Sequence, residues 1–77
     1  MTPPIMGLTS NPPRGLAPTF IDRAELEAFR LVDLEGLSQE EAGQRMGVSR
    51  GTVWRLLKSA RTRTVQALTE GRPLQIV

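Results

Sequence analysis

The chain has 77 residues, with 10 Lys and Arg against 8 Asp and Glu, no cysteine and no histidine. That length holds at most one small domain, and the missing residue types exclude disulfides, thiolate chemistry, cysteine-based zinc sites and the commonest general base. No apolar run approaches the roughly 20 residues that span a bilayer, and the start MTPPIMGLTSNPPRG has neither a basic beginning nor an apolar signal core, so a cytoplasmic protein without membrane association is expected.

The formal charge of +2 hides a polarity along the chain. Residues 1–48 carry four Arg against seven Asp and Glu, about −3, whereas residues 49–77 carry six Lys and Arg against one Glu, about +5. A basic surface concentrated on one element fits a nucleic-acid-binding module. It also fits a basic helix whose other face packs on an acidic one, and charge alone leaves both readings open.

Residues 1–20 hold five of the six prolines, Pro3, Pro4, Pro12, Pro13 and Pro18, which argues against a helix or an inner strand and predicts a disordered or extended arm. From Ile21 the pattern becomes helical. Asp22 with Glu25 forms a capping-box signature, and apolar residues at Leu26, Phe29, Leu31, Val32 and Leu34 give a first helix over about 22–35, left at Gly36. Ser38 with Glu41 repeats the box and starts a short second helix, about 38–46, with Leu37, Ala42 and Met46 on its buried side and Gly47 at its end.

Ser49 then caps a third helix, about 50–70, in which Val53, Leu56, Leu57, Ala60, Ala67 and Leu68 recur at three- and four-residue spacing until Gly71. Thr62, Thr64 and Val65 lower the helix propensity of its middle and allow a bend near 62–64. Residues 72–77, RPLQIV, read as a short extended tail. The fold expected is all-α, a three-helix domain over 21–71 with an arm and a tail.

Within QEEAGQRMGVSRGTVWRL, Ala42 and Gly43 leave room for the following helix, Gly47 can take the positive φ of a turn, and Val48, Val53 and Leu56 fill the space between helices. That is the spacing of a helix-turn-helix, in which the second helix reads DNA. Helical geometry then turns Arg50, Gly51, Trp54, Arg55, Lys58 and Arg61 outward. Arg50 and Arg55 are the candidates for guanine edges or nearby phosphate, Gly51 permits close approach, and Thr52 can bond a phosphate or meet a thymine methyl. Lys58 and Arg61 are placed to follow the backbone, and Ser38 and Gln39 to offer helix-end N–H groups to a phosphate, with Ser49 capping the recognition helix. Trp54 has three competing explanations: a base or sugar contact, a cation–π contact with Arg50 or Lys58, or a cover supplied by the arm or a second subunit. The carboxylates of the first two helices have no basic or nucleophilic companion, so no catalytic, metal or cofactor site is expected.

The stretch AELEAFRLVDLEGLSQEEAGQRMGVSRGTVWRLLKSARTRTVQALTEGRPLQIV resembles the small bacterial and archaeal proteins of the UPF0251 (DUF134) group over about residues 20–77. VSRGTV and the SAR at residues 59–61 also resemble region 4 of sigma-70-type initiation factors. The resemblance implies DNA as ligand without a target, and carries Ser49, Arg50, Thr52 and Arg55 onto a shared recognition helix. Where the group carries a basic, often cysteine-containing segment before the first helix, this chain is proline-rich and nearly uncharged, so no role transfers there. The expected function is sequence-specific binding of double-stranded DNA by a nucleoid-associated transcriptional regulator. A homodimer is expected from the small size, from Val65 and Leu68, and from an LQIV tail able to pair with its copy. The alternative is a protein-interaction module, such as an adaptor contacting RNA polymerase.

Overall fold

A computed structural model describes residues 16–77. Three helices follow one another between two short strands: β1 (Thr19–Ile21), α1 (Arg23–Phe29), α2 (Gln39–Met46), α3 (Arg50–Glu70) and β2 (Leu74–Ile76). The protein is therefore mostly helical but not all-α. Most of the proline-rich arm, residues 1–15, lies outside the described residues.

Each helix begins where a side chain satisfies its free N–H groups. Asp22 and Glu25 form a reciprocal capping box on α1, Ser38 and Glu41 form another on α2, and the Ser49 hydroxyl accepts from the Thr52 N–H at the start of α3. Left-handed glycines end α2 and α3, with Gly47 at φ 73° and Gly71 at φ 69°.

α1 runs without a break into a π-helical turn, Arg30–Leu34, in which the Glu35 N–H bonds to the Arg30 carbonyl at 3.0 Å. The wider turn and the crossing of the helices shift the buried face from the one that periodicity suggests. Ala28 and Leu31 are buried, whereas Leu34 is 78 % exposed and Leu26 is also exposed. The core between the helices is Ala28, Leu31, Ala42 and Val53, with Val32, Leu37, Met46 and Leu56 packed against it. Leu57, Ala60 and Ala67 continue the buried stripe of α3, while Leu68 and Val48 are exposed.

α3 does not break at its threonines. It is one helix of 21 residues, with Ala60 and Ala67 buried on either side of Thr64 and the Thr19 hydroxyl donating to the Arg63 carbonyl at 3.2 Å. Tertiary packing outweighs the few tenths of a kcal/mol per residue that propensity withholds here.

One expectation about the ends needs correction: residues 19–20 belong to a strand rather than to the arm. The tail is extended over Leu74–Ile76, and one of its edges pairs with that strand. β1 and β2 run parallel, with Thr19 opposite Leu74, Phe20 opposite Gln75 and Ile21 opposite Ile76. The reason is burial: Thr19 and Ile21 face inward and are buried, and Phe20 faces out. The strand follows Pro18, so no ladder donor is lost to proline.

Candidate nucleic-acid interface

The site grows from the contact between α2 and the turn that follows it. Ala42 and Gly43 are buried, Gly47 reverses the chain, and the Val48 N–H bonds to the Gly43 carbonyl at 2.9 Å. Ser49 then launches α3. Because Val53 and Leu57 face the core, Arg50, Gly51, Trp54, Arg55 and Lys58 are exposed together along one side of the helix.

Carboxylates divide the cations into two groups. Arg30 pairs with Glu27 and Glu35, Arg72 with Glu70, and Arg61 holds both oxygens of Asp33 from its Nε and Nη2 at 2.9 and 2.7 Å. Arg63 donates to the Phe20 carbonyl at 2.8 Å. Arg23, Arg45, Arg50, Arg55 and Lys58 pair with no carboxylate among the described residues, and of these Arg50, Arg55 and Lys58 share the exposed side of α3.

Arg55 is nonetheless oriented. Its Nη2 donates to the Thr52 hydroxyl at 3.3 Å, and that hydroxyl accepts from the Ser49 hydroxyl at 3.1 Å. The Thr52 N–H in turn donates to the Ser49 oxygen at 3.1 Å. Three residues of the first turn and a half thus form one chain ending in a guanidinium.

Ser38 and Gln39 have different surroundings. The Ser38 N–H and hydroxyl both engage Glu41, and the Ser38 backbone N–H holds the Glu41 carboxyl below its usual range. That end of α2 already has its own anion, which weakens it as a phosphate site. Gln39 lines an open notch together with Arg50, Gly51 and Trp54. Arg61 is exposed but committed to Asp33, whose carboxyl it holds below the usual range, and the guanidinium is held correspondingly high.

Two features escape sequence reasoning. Asp33 draws Arg61 aside although it lies on another helix, and nothing in the local pattern announces that pair. Thr62 joins Arg55, Lys58, Ser59 and Arg63 along an open groove on α3; its spacing of four from Lys58 is the signal that could have found it. Among the described residues there is no cluster of His, Cys, Asp or Glu able to hold a metal ion, and no helix is long and apolar enough to cross a membrane.

What the fold and site define is a small, mostly helical protein with one cationic helix face. Residues 5–77 match the family model described as protein of unknown function DUF134, and the chain belongs to that family. It is 67 % identical over 60 residues to a UPF0251 protein of Thermococcus kodakarensis, covering 78 % of this chain and 53 % of that one. A UPF0251 protein of Pyrococcus furiosus is 62 % identical over 60 residues, covering 78 % and 56 %, and one of Archaeoglobus fulgidus is 43 % identical over 74 residues, covering 96 % and 70 %. The chain thus spans about half the length of the first two relatives. No solved structure matches it significantly.

Proposed function

We propose that the protein binds double-stranded DNA sequence-specifically, as a nucleoid-associated transcriptional regulator, with α2 and α3 acting as a helix-turn-helix and α3 lying in the major groove. The observation that carries this reading is the clustering of charge: Arg50, Arg55 and Lys58 lie together on the exposed side of α3 with no carboxylate partner among the described residues, whereas the other arginines without one, Arg23, Arg45 and Arg63, lie on α1, on α2 and, in contact with Phe20, further along α3. The α2–α3 contact through Ala42 and Gly43 and the Gly47 turn support it geometrically.

In this reading Arg50 and Arg55, in the first turns of α3, meet base edges, and Lys58 meets phosphate. Titration of a random-sequence duplex at low salt tests it, and complete absence of binding overturns it. Neutral replacement of Arg50 and Arg55 is expected to remove sequence preference. Lys58→Ala is expected to weaken all duplexes alike and lower the salt slope by about one unit.

Two copies are proposed to associate through β2. The outward carbonyl of β1, that of Phe20, accepts from Arg63, so that edge is closed. The Pro73 carbonyl and Val77 N–H point toward β1, which turns the backbone groups of Leu74 and Ile76 away from it and leaves them an open edge. Leu74, Gln75 and Ile76 carry no charge, and Ile76 is 48 % exposed. An uncharged open edge meets its own copy without like-charge repulsion, and antiparallel pairing of two β2 strands has the two-fold symmetry of a closed dimer.

A second reading, a protein-interaction module of the kind that contacts RNA polymerase, rests on the apolar flank of α1, where Leu26, Phe29 and Leu34 line an open groove with Arg30 and Asp33. The same duplex titration separates the two.

A further inference from the structure

We infer that the notch lined by Gln39, Arg50, Gly51 and Trp54 seats the 5-methyl group of a thymine in the major groove. The inference deepens the DNA-binding reading and rests on it.

Three observations converge on the notch. Trp54 is 45 % exposed, and its indole is the large apolar surface set among Arg50, Arg55 and Lys58, whereas the exposed Val65 and Leu68 lie near the other end of α3. An aromatic ring of this size left open to water among unpaired cations has apolar area to gain from a ligand.

Gly51 is the second. The other described glycines each have a reason within the fold: Gly36, Gly47 and Gly71 take positive φ, and a β-carbon on Gly43 would collide with the Val48 carbonyl. Gly51 has neither a positive φ nor a close neighbour, since an added β-carbon would meet nothing nearer than the Ser49 hydroxyl at 3.9 Å. Among the described residues, neither backbone conformation nor space requires glycine there. Gly51 is the second residue of α3, in its first turn, and its bare backbone leaves room there for a group that approaches from outside.

The third is the chemistry of the walls. Of the lining residues, Trp54 and Gly51 offer apolar surface, and Gln39 and Arg50 carry hydrogen-bonding groups. Of the base edges presented in the major groove, only thymine's offers an apolar group, and it lies beside an O4 acceptor. An apolar seat next to an amide and a guanidinium fits that edge.

The test uses the full chain and a duplex obtained by selection from a random library. Each thymine of the bound half-site is replaced in turn by uracil, which removes only the methyl. Expected for the wild type is one position at which affinity falls about fourfold, the factor that corresponds to one buried methyl group. Trp54→Ala and Gly51→Ala are expected to bind the thymine and uracil duplexes equally. If wild-type binding is sequence-specific but no thymine is sensitive, or if Trp54→Ala keeps the full sensitivity, the inference is overturned while DNA binding stands. An indole lying on deoxyribose gives that insensitive result. If the wild type binds no duplex at all, the underlying reading falls as well. The uracil series on wild-type protein needs no variant to fold.

Discussion

A β-carbon placed on Gly43 would lie 2.7 Å from the carbonyl oxygen of Val48. The backbone of α2 therefore touches the turn directly, and the same two residues share a hydrogen bond from the Val48 N–H to the Gly43 carbonyl at 2.9 Å. The contact fixes how α3 leaves α2, because the obstructing atom is backbone rather than the end of a flexible side chain. Gly43→Ala is expected to lose up to about 2 kcal/mol of stability, since overpacking costs about 1–3 kcal/mol against a gain in helix propensity of about 1 kcal/mol. Urea denaturation measures it. Gly51→Ala is the control, expected to lose nothing because its new methyl has room.

The Asp33–Arg61 pair joins the end of the first helical segment to the middle of α3, with both side chains partly open to solvent. The Arg61 hydrogen bonds lower the Asp33 carboxyl's pKa in the folded state, so the pair's contribution is present above the unfolded value of 3.8 and is lost as the pH falls through the folded one. Asp33→Asn is expected to cost about 0.5 kcal/mol at neutral pH, the size of a partly exposed pair, and the difference from wild type should vanish in strong acid. It also releases Arg61. Binding to random-sequence duplex should therefore tighten at low salt and become more salt-sensitive; unchanged binding would mean that Arg61 lies away from the phosphates.

Local chemistry in this chain is legible from the sequence, and contacts between distant segments are not. The capping pairs Asp22–Glu25 and Ser38–Glu41 lie three residues apart, so spacing alone reveals them, and Gly36, Gly47 and Gly71 mark turns by residue type. The strand pairing of Thr19–Ile21 with Leu74–Ile76 joins the two ends of the described chain, and neither segment is long enough to show an alternation of its own. Ala28 is fully buried yet too small to stand out beside Leu26 and Leu34, which the π-helical turn and the helix crossing leave exposed. The cationic side of α3 follows from periodicity, but the withdrawal of Arg61 depends on a carboxylate on another helix.

The open edge of β2 gives a prediction independent of DNA. Ile76→Lys places a charge on an edge strand at a residue 48 % exposed in the single chain, so the monomer should fold unchanged. Sedimentation equilibrium should show two chains per particle for the wild type and one for the variant. A wild type that stays monomeric at high micromolar concentration removes the proposed dimer and leaves the monomer's cationic face as described.

Thr52 separates orientation from contact on that face. Its hydroxyl receives Arg55 Nη2 and the Ser49 hydroxyl, whereas its backbone N–H, which takes the Ser49 cap, does not depend on the side chain. Thr52→Val keeps the cap and the branched shape and removes only the hydroxyl, so stability should stay within about 0.5 kcal/mol of wild type. Arg55 then loses the group that holds its guanidinium and must give up rotamer freedom on binding, at about 0.5–1.5 kcal/mol. Discrimination at the base that Arg55 reads should fall three- to tenfold in Thr52→Val and further in Arg55→Ala. In the Arg55→Ala background, adding Thr52→Val should change nothing more, because the hydroxyl acts through the arginine. Additive losses in that cycle would instead make Thr52 a direct contact to phosphate or thymine.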